Sequence, residues 1–293
     1  MLGRDKQFVG KIERKVKATI KNFGLLNKKE KIIVAVSGGK DSTAVLYMLN
    51  KWGYNVEAAA IDVNLGEYSI TNMKNISKFC RENKIPLYVV SIRDEFGGSH
   101  CNIRQILASK GVKLNSCAVC GVLRRYLLNK AAKKLKAKKL VTGHNLDDEC
   151  QAVMMNFLRN TLQWSARLGP KSGISGAKGF VQRVKPLYFI PEKDIERYSK
   201  IMKFPVKYGK CPLSSDVLRR FVGGLLDDYE KQNPDAKKNI IGNFMKLLPE
   251  LKIKYKGQEY RYCDRCGEPS KGKVCRTCQI IEGVRIKRTR PIK

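Results

Sequence analysis

Residues 32–36 are Ile-Ile-Val-Ala-Val, and they run straight into Ser37-Gly38-Gly39-Lys40-Asp41-Ser42 and a helix-like pattern ending near Leu49. Strand, glycine turn and helix in that order suit a phosphate. Consecutive glycines let backbone N–H groups approach an anion, and the helix N-terminus adds its positive end. Ser37 and Ser42 add hydroxyls and Lys40 adds charge. The turn is not a Walker A loop, because Asp41 follows Gly39-Lys40 and Val34 stands where that motif needs its first Gly. Nor is there a G-x-G-x-x-G dinucleotide fingerprint.

The alternation continues along the chain. Residues 55–62, 86–92 and 138–143 read as strands. Residues 41–52, 69–83, 119–137 and 146–162 read as helices, with further helices at 192–204 and 216–233. Strands alternating with helices predict βαβ units and a parallel-sheet α/β fold. Ligands of such sheets lie beyond the carboxyl ends of the strands. The glycine turn, "IDVNLGE" with Asp62, and "TGHNLDDE" with Gly143, His144, Asp147 and Asp148 all follow strands. All three are expected to face one crevice. Gly143 leaves room for close backbone approach, and carboxylates at a helix start are favoured by the dipole.

The sequence predicts an N-terminal basic helix in 1–28, with Phe8, Val9, Ile12, Val16 and Ile20 at helical spacing and Gly24 as its stop. The α/β domain spans 29–165, and a loop and helical extension spans 166–255, opening on a Gly/Ser/Lys-rich stretch at 168–181. A small cysteine module at 256–283 and a basic tail at 284–293 follow.

Lys plus Arg number 59 against 26 Asp plus Glu, a net charge of +33. That excess points to a polyanionic partner, and nucleic acid suits it better than a membrane, since no lipidation motif or apolar span is present. The N-terminus lacks the apolar core of a signal peptide, so the expected location is the cytoplasm.

Ten cysteines in a cytosolic chain argue against structural disulfides. Cys117 and Cys120 lie three apart at a helix start, where the dipole and Arg124/Arg125 are expected to favour thiolates. The distant Cys211 is the natural third ligand. Three thiolates can leave one iron of a four-iron cube open; a redox pair and a structural zinc are the alternatives. Cys80, Cys101 and Cys150 have no partners at ligand spacing and read as buried small hydrophobes. Cys263-x-x-Cys266, eight residues, then Cys275-x-x-Cys278 has the spacing of a closed four-thiolate Zn²⁺ site, whose role is structural.

"SGGKDS" resembles the pyrophosphate loop of the ATP pyrophosphatase (PP-loop) superfamily. Five segments in order, "SGGKDS", "CAVCGVLRR", "TGHNLDDE…MMNFLR", "RVKPLYFIPEKDI" and "YCDRCG…CRTCQIIEG", resemble the archaeal and eukaryotic cytosolic tRNA 2-thiouridine synthetase family over residues 6–284. The resemblance implies an adenine-nucleotide alpha-hydrolase-like domain and a tRNA uridine 2-sulfurtransferase, which adenylates the uridine C2 oxygen and then delivers sulfur. It implies ATP and Mg²⁺ held around Ser37, Gly38, Gly39, Lys40, Asp41, Ser42, Asp62, Gly143 and Asp148. It also implies a [4Fe–4S] cluster on Cys117, Cys120 and Cys211, and a catalytic role for Asp148 and those cysteines. Further implications are a homodimer, the wobble uridine as target, and free sulfide or a thiocarboxylated ubiquitin-like protein as donor. The other readings are thiolation of the T-loop uridine, a tRNA 2-thiocytidine synthetase, and a non-catalytic RNA-binding metalloprotein. One departure is that relatives begin with a Cys/His zinc finger, whereas the first cysteine here is Cys80. A shorter natural form or trimming would each account for it.

Overall fold

A computed structural model describes residues 3–173, 179–209, 211–214, 217–256 and 261–284. Helix α1 (Gly3–Asn22) buries Val9, Ile12, Val16 and Ile20 and turns Lys11, Arg14, Lys15 and Lys17 to solvent. It ends at Gly24, φ +53°, where Gly24 N–H bonds Lys21 O (3.1 Å) and Leu25 N–H bonds Ile20 O (2.9 Å). That pair of bonds is a Schellman cap, which needs a left-handed residue.

Two strand–helix–strand units follow: β1 (Ile32–Val36), α2 (Lys40–Lys51), β2 (Val56–Asp62), α3 (Gly66–Glu82) and β3 (Leu87–Ser91). Three helices, α4 (Ile92–Phe96), α5 (His100–Ser109) and α6 (Ser116–Lys134), lead to β4 (Lys139–Val141). After α7 (Leu146–Leu158) and α8 (Leu162–Ser165) comes β5 (Gln182–Val184), then α9 (Glu192–Ile201), α10 (Val217–Gln232) and α11 (Ala236–Lys254). A two-stranded ribbon, β6 (Arg261–Tyr262) with β7 (Pro269–Ser270), and α12 (Arg276–Val284) close the described chain.

The main sheet has the order β3-β2-β1-β4-β5, with every pair parallel. The order reverses between β1 and β4, so the carboxyl ends of these two neighbours flank the switch point where ligands bind. The strands are covered on both faces. Ile32, Val34 and Val36 pack with α1, α2, α3 and α9, while Ile33, Ala59 and Ile61 pack with α5, α6 and α12. A third core, around Cys150, Val153, Tyr188, Val222, Leu226, Ile241 and Phe244, joins α7, α10 and α11. Among the described residues, no helix is long and apolar enough to cross a membrane.

Helices α4, α5 and α12 and strand β5 were not among the predicted elements. The helix pattern at 146–162 is broken at Asn160 (φ +51°) and restarts as α8. Helix α11 went unpredicted, since Gly242 and Pro249 lie inside it; burial of Ile241, Phe244 and Leu248 outweighs those breakers. Residues 169–173 of the glycine-rich stretch run beside β5 through Ser172 N–H to Arg183 O and Lys185 N–H to Pro170 O, both 2.9 Å. Residues 174–178 and the basic tail from 285 lie outside the described residues.

Helix α1 is part of the first core. Ile12, 1% exposed, shares a cluster with the sheet. Ile12→Ala is therefore expected to cost about 2–5 kcal/mol, read as a lowered urea midpoint at unchanged m. A change under about 0.5 kcal/mol would show α1 to be an appendage.

Candidate active site and metal centres

The glycine turn caps α2 without a side chain. Gly39 is the N-cap and offers no side-chain acceptor, so the first-turn N–H groups stay available. Ser42 ties the loop to itself, accepting from Ser37 N–H (3.2 Å) and donating to Gly39 O (3.1 Å). Gly38 sits at φ +82°, and a Cβ there would lie 2.7 Å from Asn72 of α3. Gly143, after β4, is equally tight and meets backbone, since its Cβ would lie 2.7 Å from Ser42 N. Only glycine allows these two backbones to touch. The three strand-end segments differ in role. Both carboxylate oxygens of Asp62 accept from Asn64, at 2.8 and 2.9 Å, so Asp62 closes its own turn at the end of β2.

Asp41, Asn145 and Asp148 converge across this contact. Asn145 caps α7 and forms a capping box with Asp148. Its amide also donates to Asp41 Oδ1 (3.1 Å), linking the two helix starts. Burial pushes both the Asp41 and Asp148 carboxyls up, and Asp148 adds to the shift at Asp41. Asp148 is half-exposed and His144 is exposed, yet both are surrounded by protein, as at the floor of a crevice. Arg219 of α10 reaches Asp148 Oδ1 at 3.5 Å and Gln151 at 3.1 Å. Two carboxylates that resist ionisation while facing one phosphate turn suit a divalent cation, which would neutralise them.

Asp147 does other work. It is buried, its Oδ1 accepts from Lys237 of α11 (2.5 Å), and its Oδ2 accepts from Glu192 N–H (2.7 Å). Lys237 also meets Asp227 (2.5 Å) and Glu230 (3.3 Å) of α10. The Glu192 side chain in turn holds Lys40 of the glycine turn at 2.6 Å. A chain of polar contacts thus runs from α11 to the phosphate turn. Lys185 and Glu149 form a second buried pair (2.7 Å) beside Asp148. Such pairs contribute little net stability but fix geometry.

The cysteine site borders the same face of α3, one turn before the residue packed on Gly38. Cys117 and Cys120 open α6, and Cys211 approaches from the segment before α10, whose Leu213 O lies 3.9 Å from Cys117 Sγ. Arg124, Cys211 and Cys117 are charged neighbours that act on Cys120. Burial pushes the Cys120 thiol up, and Arg124 only partly opposes it. This reverses the sequence expectation of a lowered pKa, because the buried end of α6 and two neighbouring sulfurs outweigh one guanidinium. Three half-buried thiols from two elements fit a cluster that keeps one iron open. Tyr68 of α3 faces Cys211, Cys120 and Arg124 and hydrogen-bonds Asn72, the residue packed on Gly38. Helix α3 is therefore one wall shared by the phosphate turn and the cysteines.

Of the remaining cysteines, Cys80 and Cys150 are buried as expected, but Cys101 is exposed on the outer face of α5. Among the described residues, the only metal-ligand group within 4.8 Å of one another is Cys263, Cys266, Cys275 and Cys278. The Cys266–Cys275 separation is 3.7 Å, close to the ~3.8 Å edge of a tetrahedron with Zn–S of about 2.3 Å. Cys275 N–H and Cys278 N–H point at Cys263 Sγ (3.2 Å) and Cys275 Sγ (3.4 Å). Mutual repulsion keeps the set from ionising fully without a cation: backbone N–H bonds favour the Cys263 thiolate, while burial pushes Cys266 and Cys278 up. The residues fit Zn²⁺. Helix α12 seats this module in the second core through Ile280 and Val284, and Glu268 bonds Asn129 and Lys133, each at 2.6 Å.

Asn72, Tyr68, Arg219 and Lys237 lie outside every quoted motif, while Asn145 and Glu192 lie inside quoted segments without having been singled out. For Asn145 alone a signal existed, its N-cap position three residues before Asp148.

Fold and crevice define a nucleotide-using enzyme of the PP-loop class, and residues 9–208 match the PP-loop domain family. The chain is 31% identical over 276 residues to the tRNA-5-methyluridine(54) 2-sulfurtransferase of Pyrococcus horikoshii, covering 94% of this chain and 86% of that protein. It is 33% identical over 285 residues to cytoplasmic tRNA 2-thiolation protein 1 of Aspergillus niger, covering 94% and 81%. The solved U34-tRNA thiolase NcsA of Methanococcus maripaludis, with its [4Fe-4S] cluster, has a TM-score of 0.80 and 30% identity, covering 98% of this chain and 92% of that one. The chain belongs to the tRNA 2-thiolation sulfurtransferases of the PP-loop family.

Asp148→Asn separates chemistry from stability. A carboxyl whose folded pKa is raised binds its proton more tightly folded than unfolded, so its ionisation costs stability as pH rises. The variant is expected to melt at the same or higher temperature than the parent at pH 7, with the difference shrinking toward pH 4. Its turnover should fall about 10²–10⁴-fold. A pH-independent loss of several degrees would make Asp148 a structural cap only. Cys275→Ser, or chelation of a Zn²⁺ loaded onto the four-cysteine module, should lower the melting temperature of the whole chain by on the order of 5 °C. An unchanged melt with metal analysis confirming removal would contradict the shared core.

Proposed function

We propose that this chain thiolates a tRNA uridine at C2 in two chemical steps run in one crevice. The observation carrying the reading is the shared α3 wall, with Asn72 on the phosphate turn and Tyr68 on the cysteines. In the first step the uridine C2 oxygen attacks the α-phosphorus of ATP and pyrophosphate leaves. The turn N–H groups and Gly38 receive the pyrophosphate; Asp41 and Asp148 would hold Mg²⁺. Moving the base into the crevice costs a few kcal/mol, least in an unpaired loop. In the second step sulfide attacks C2 and AMP departs with the oxygen, so the reaction is redox-neutral.

Cys117, Cys120 and Cys211 would hold a [4Fe–4S] cluster, a reading supported by the likeness to NcsA, whose structure carries such a cluster, and three protein ligands would leave one iron open for sulfide. Arg124, beside Cys120, is placed to balance negative charge there. Free sulfide or a thiocarboxylated ubiquitin-like protein is the donor. The chain acts as a cytoplasmic homodimer, consistent with relatives named as cytoplasmic.

We take the wobble uridine as the target, a reading supported by the likeness to a U34-tRNA thiolase at a TM-score of 0.80. A second reading, the T-loop uridine, is favoured by the 31% identity to a methyluridine-54 enzyme. Anaerobic reconstitution with ATP, sulfide and unmodified tRNA, followed by nucleoside mapping, distinguishes them. Cys211→Ala should lose the cluster absorbance and all 2-thiouridine. Full thiolation by that variant, or no tRNA-dependent conversion of ATP to AMP and pyrophosphate by the parent, would overturn the proposal.

A further inference from the structure

Adenylation builds negative charge in two places, on the departing pyrophosphate and on the phosphoryl group under attack. A fixed cation at the second place lowers the barrier, because charge shifts there as the bonds change. Several cations of the crevice are committed elsewhere. Lys40 Nζ is held by Glu192 at 2.6 Å and by Asp41 at 3.2 Å. Lys185 is buried against Glu149, and Lys237 is buried among Asp147, Asp227 and Glu230. Arg124 stands beside Cys120.

Arg219 is placed differently. Its side chain keeps 42% of its surface open, and that of its partner Asp148 keeps 36%. Nη1 lies 3.5 Å from Asp148 Oδ1, long for a charge-assisted bond, and 3.1 Å from Gln151 Oε1. Gln151 aims it. Arg219 and Gly223 lie one turn apart on the same face of α10, and that face meets Gln151 of α7. The Gln151 amide nitrogen would sit 3.1 Å from a Cβ at Gly223, while its oxygen takes the guanidinium. The guanidinium is thereby turned toward Asp148, at the crevice floor beside the α7 N-terminus. Helix α10 also begins shortly after Cys211, so Arg219 stands on the element leading from the cysteine site to that floor. A planar guanidinium matches two phosphate oxygens at once, which an ammonium does not.

We infer that Arg219 is a catalytic residue for adenylation, leaving Asp148 when nucleotide enters and donating two N–H groups to the nonbridging oxygens of the α-phosphate. The inference rests on the two-step reading above and adds the group that meets its first transition state. In that step the bond from the uridine C2 oxygen to the α-phosphorus forms. The bond from that phosphorus to the bridging oxygen breaks, and its electron pair leaves with pyrophosphate. The uracil N3 proton goes to water. Arg219 stays protonated throughout, and Gln151 is its positioning residue.

Titration calorimetry on the metal-loaded full chain, without tRNA, tests it with adenosine, AMP and pyrophosphate as separate ligands. Arg219→Gln should weaken AMP about 10–100-fold, the range for hydrogen bonds to a charged group, and leave adenosine and pyrophosphate within about twofold. Arg220→Gln, at the exposed neighbour on α10, should match the parent for all three. In turnover, tRNA-dependent AMP formation by Arg219→Ala should fall about 10²–10³-fold and recover in part with added guanidinium ion, a rescue that a merely structural role would not show. Arg219→Gln binding AMP as tightly as the parent would overturn the inference. So would equal losses for AMP and adenosine, which mark a distorted pocket, or a loss confined to pyrophosphate. A parent that binds no adenine nucleotide would overturn the two-step reading and the inference with it.

Discussion

The site depends on one backbone contact. Gly143, beyond β4, touches Ser42 at the start of α2, beyond β1, with no room for a single methyl group. Parallel pairing of β1 with β4 brings these ends together, and the contact lets Asn145 bridge to Asp41. Everything catalytic is then stated relative to two helix N-termini, α2 and α7. Their dipoles favour phosphate and carboxylate alike.

The supporting layer is electrostatic and buried. Lys237 and Lys185 are nearly inaccessible, and each is matched by acids. Apolar residues of similar volume would pack at lower cost, so these pairs are better understood as registration devices. They lock α7 and the start of α9 against α10 and α11, and Glu192 passes that register to Lys40. The Asp41 and Asp148 carboxyls are held where ionisation is disfavoured, a loss of stability that fits the metal-holding role proposed for them.

Much of this was legible in the sequence because local patterns carry it. The glycine turn after residues 32–36, the Asp pair opening α7 and the four-cysteine spacing each report their structure within a dozen residues. The rest was illegible for physical reasons. Tyr68 and Asn72 matter only because α3 crosses behind Gly38, and Lys237 matters only because a helix interrupted by Gly242 and Pro249 forms anyway. The Cys120 shift had the opposite sign to expectation because charge neighbours can be read from spacing while burial cannot. Cys101 was misjudged for the same reason, since nothing local marks which helical face is outward.

The shared wall of α3 has a kinetic consequence. An adenylated nucleobase is an activated ester-like species, and water competes for it from the moment it forms. If activation and sulfur delivery occupied separate pockets, the intermediate would have to travel, and each excursion would leak to hydrolysis. In the proposed mechanism, one helix bordering both reagents would make sulfur a neighbour at high effective molarity.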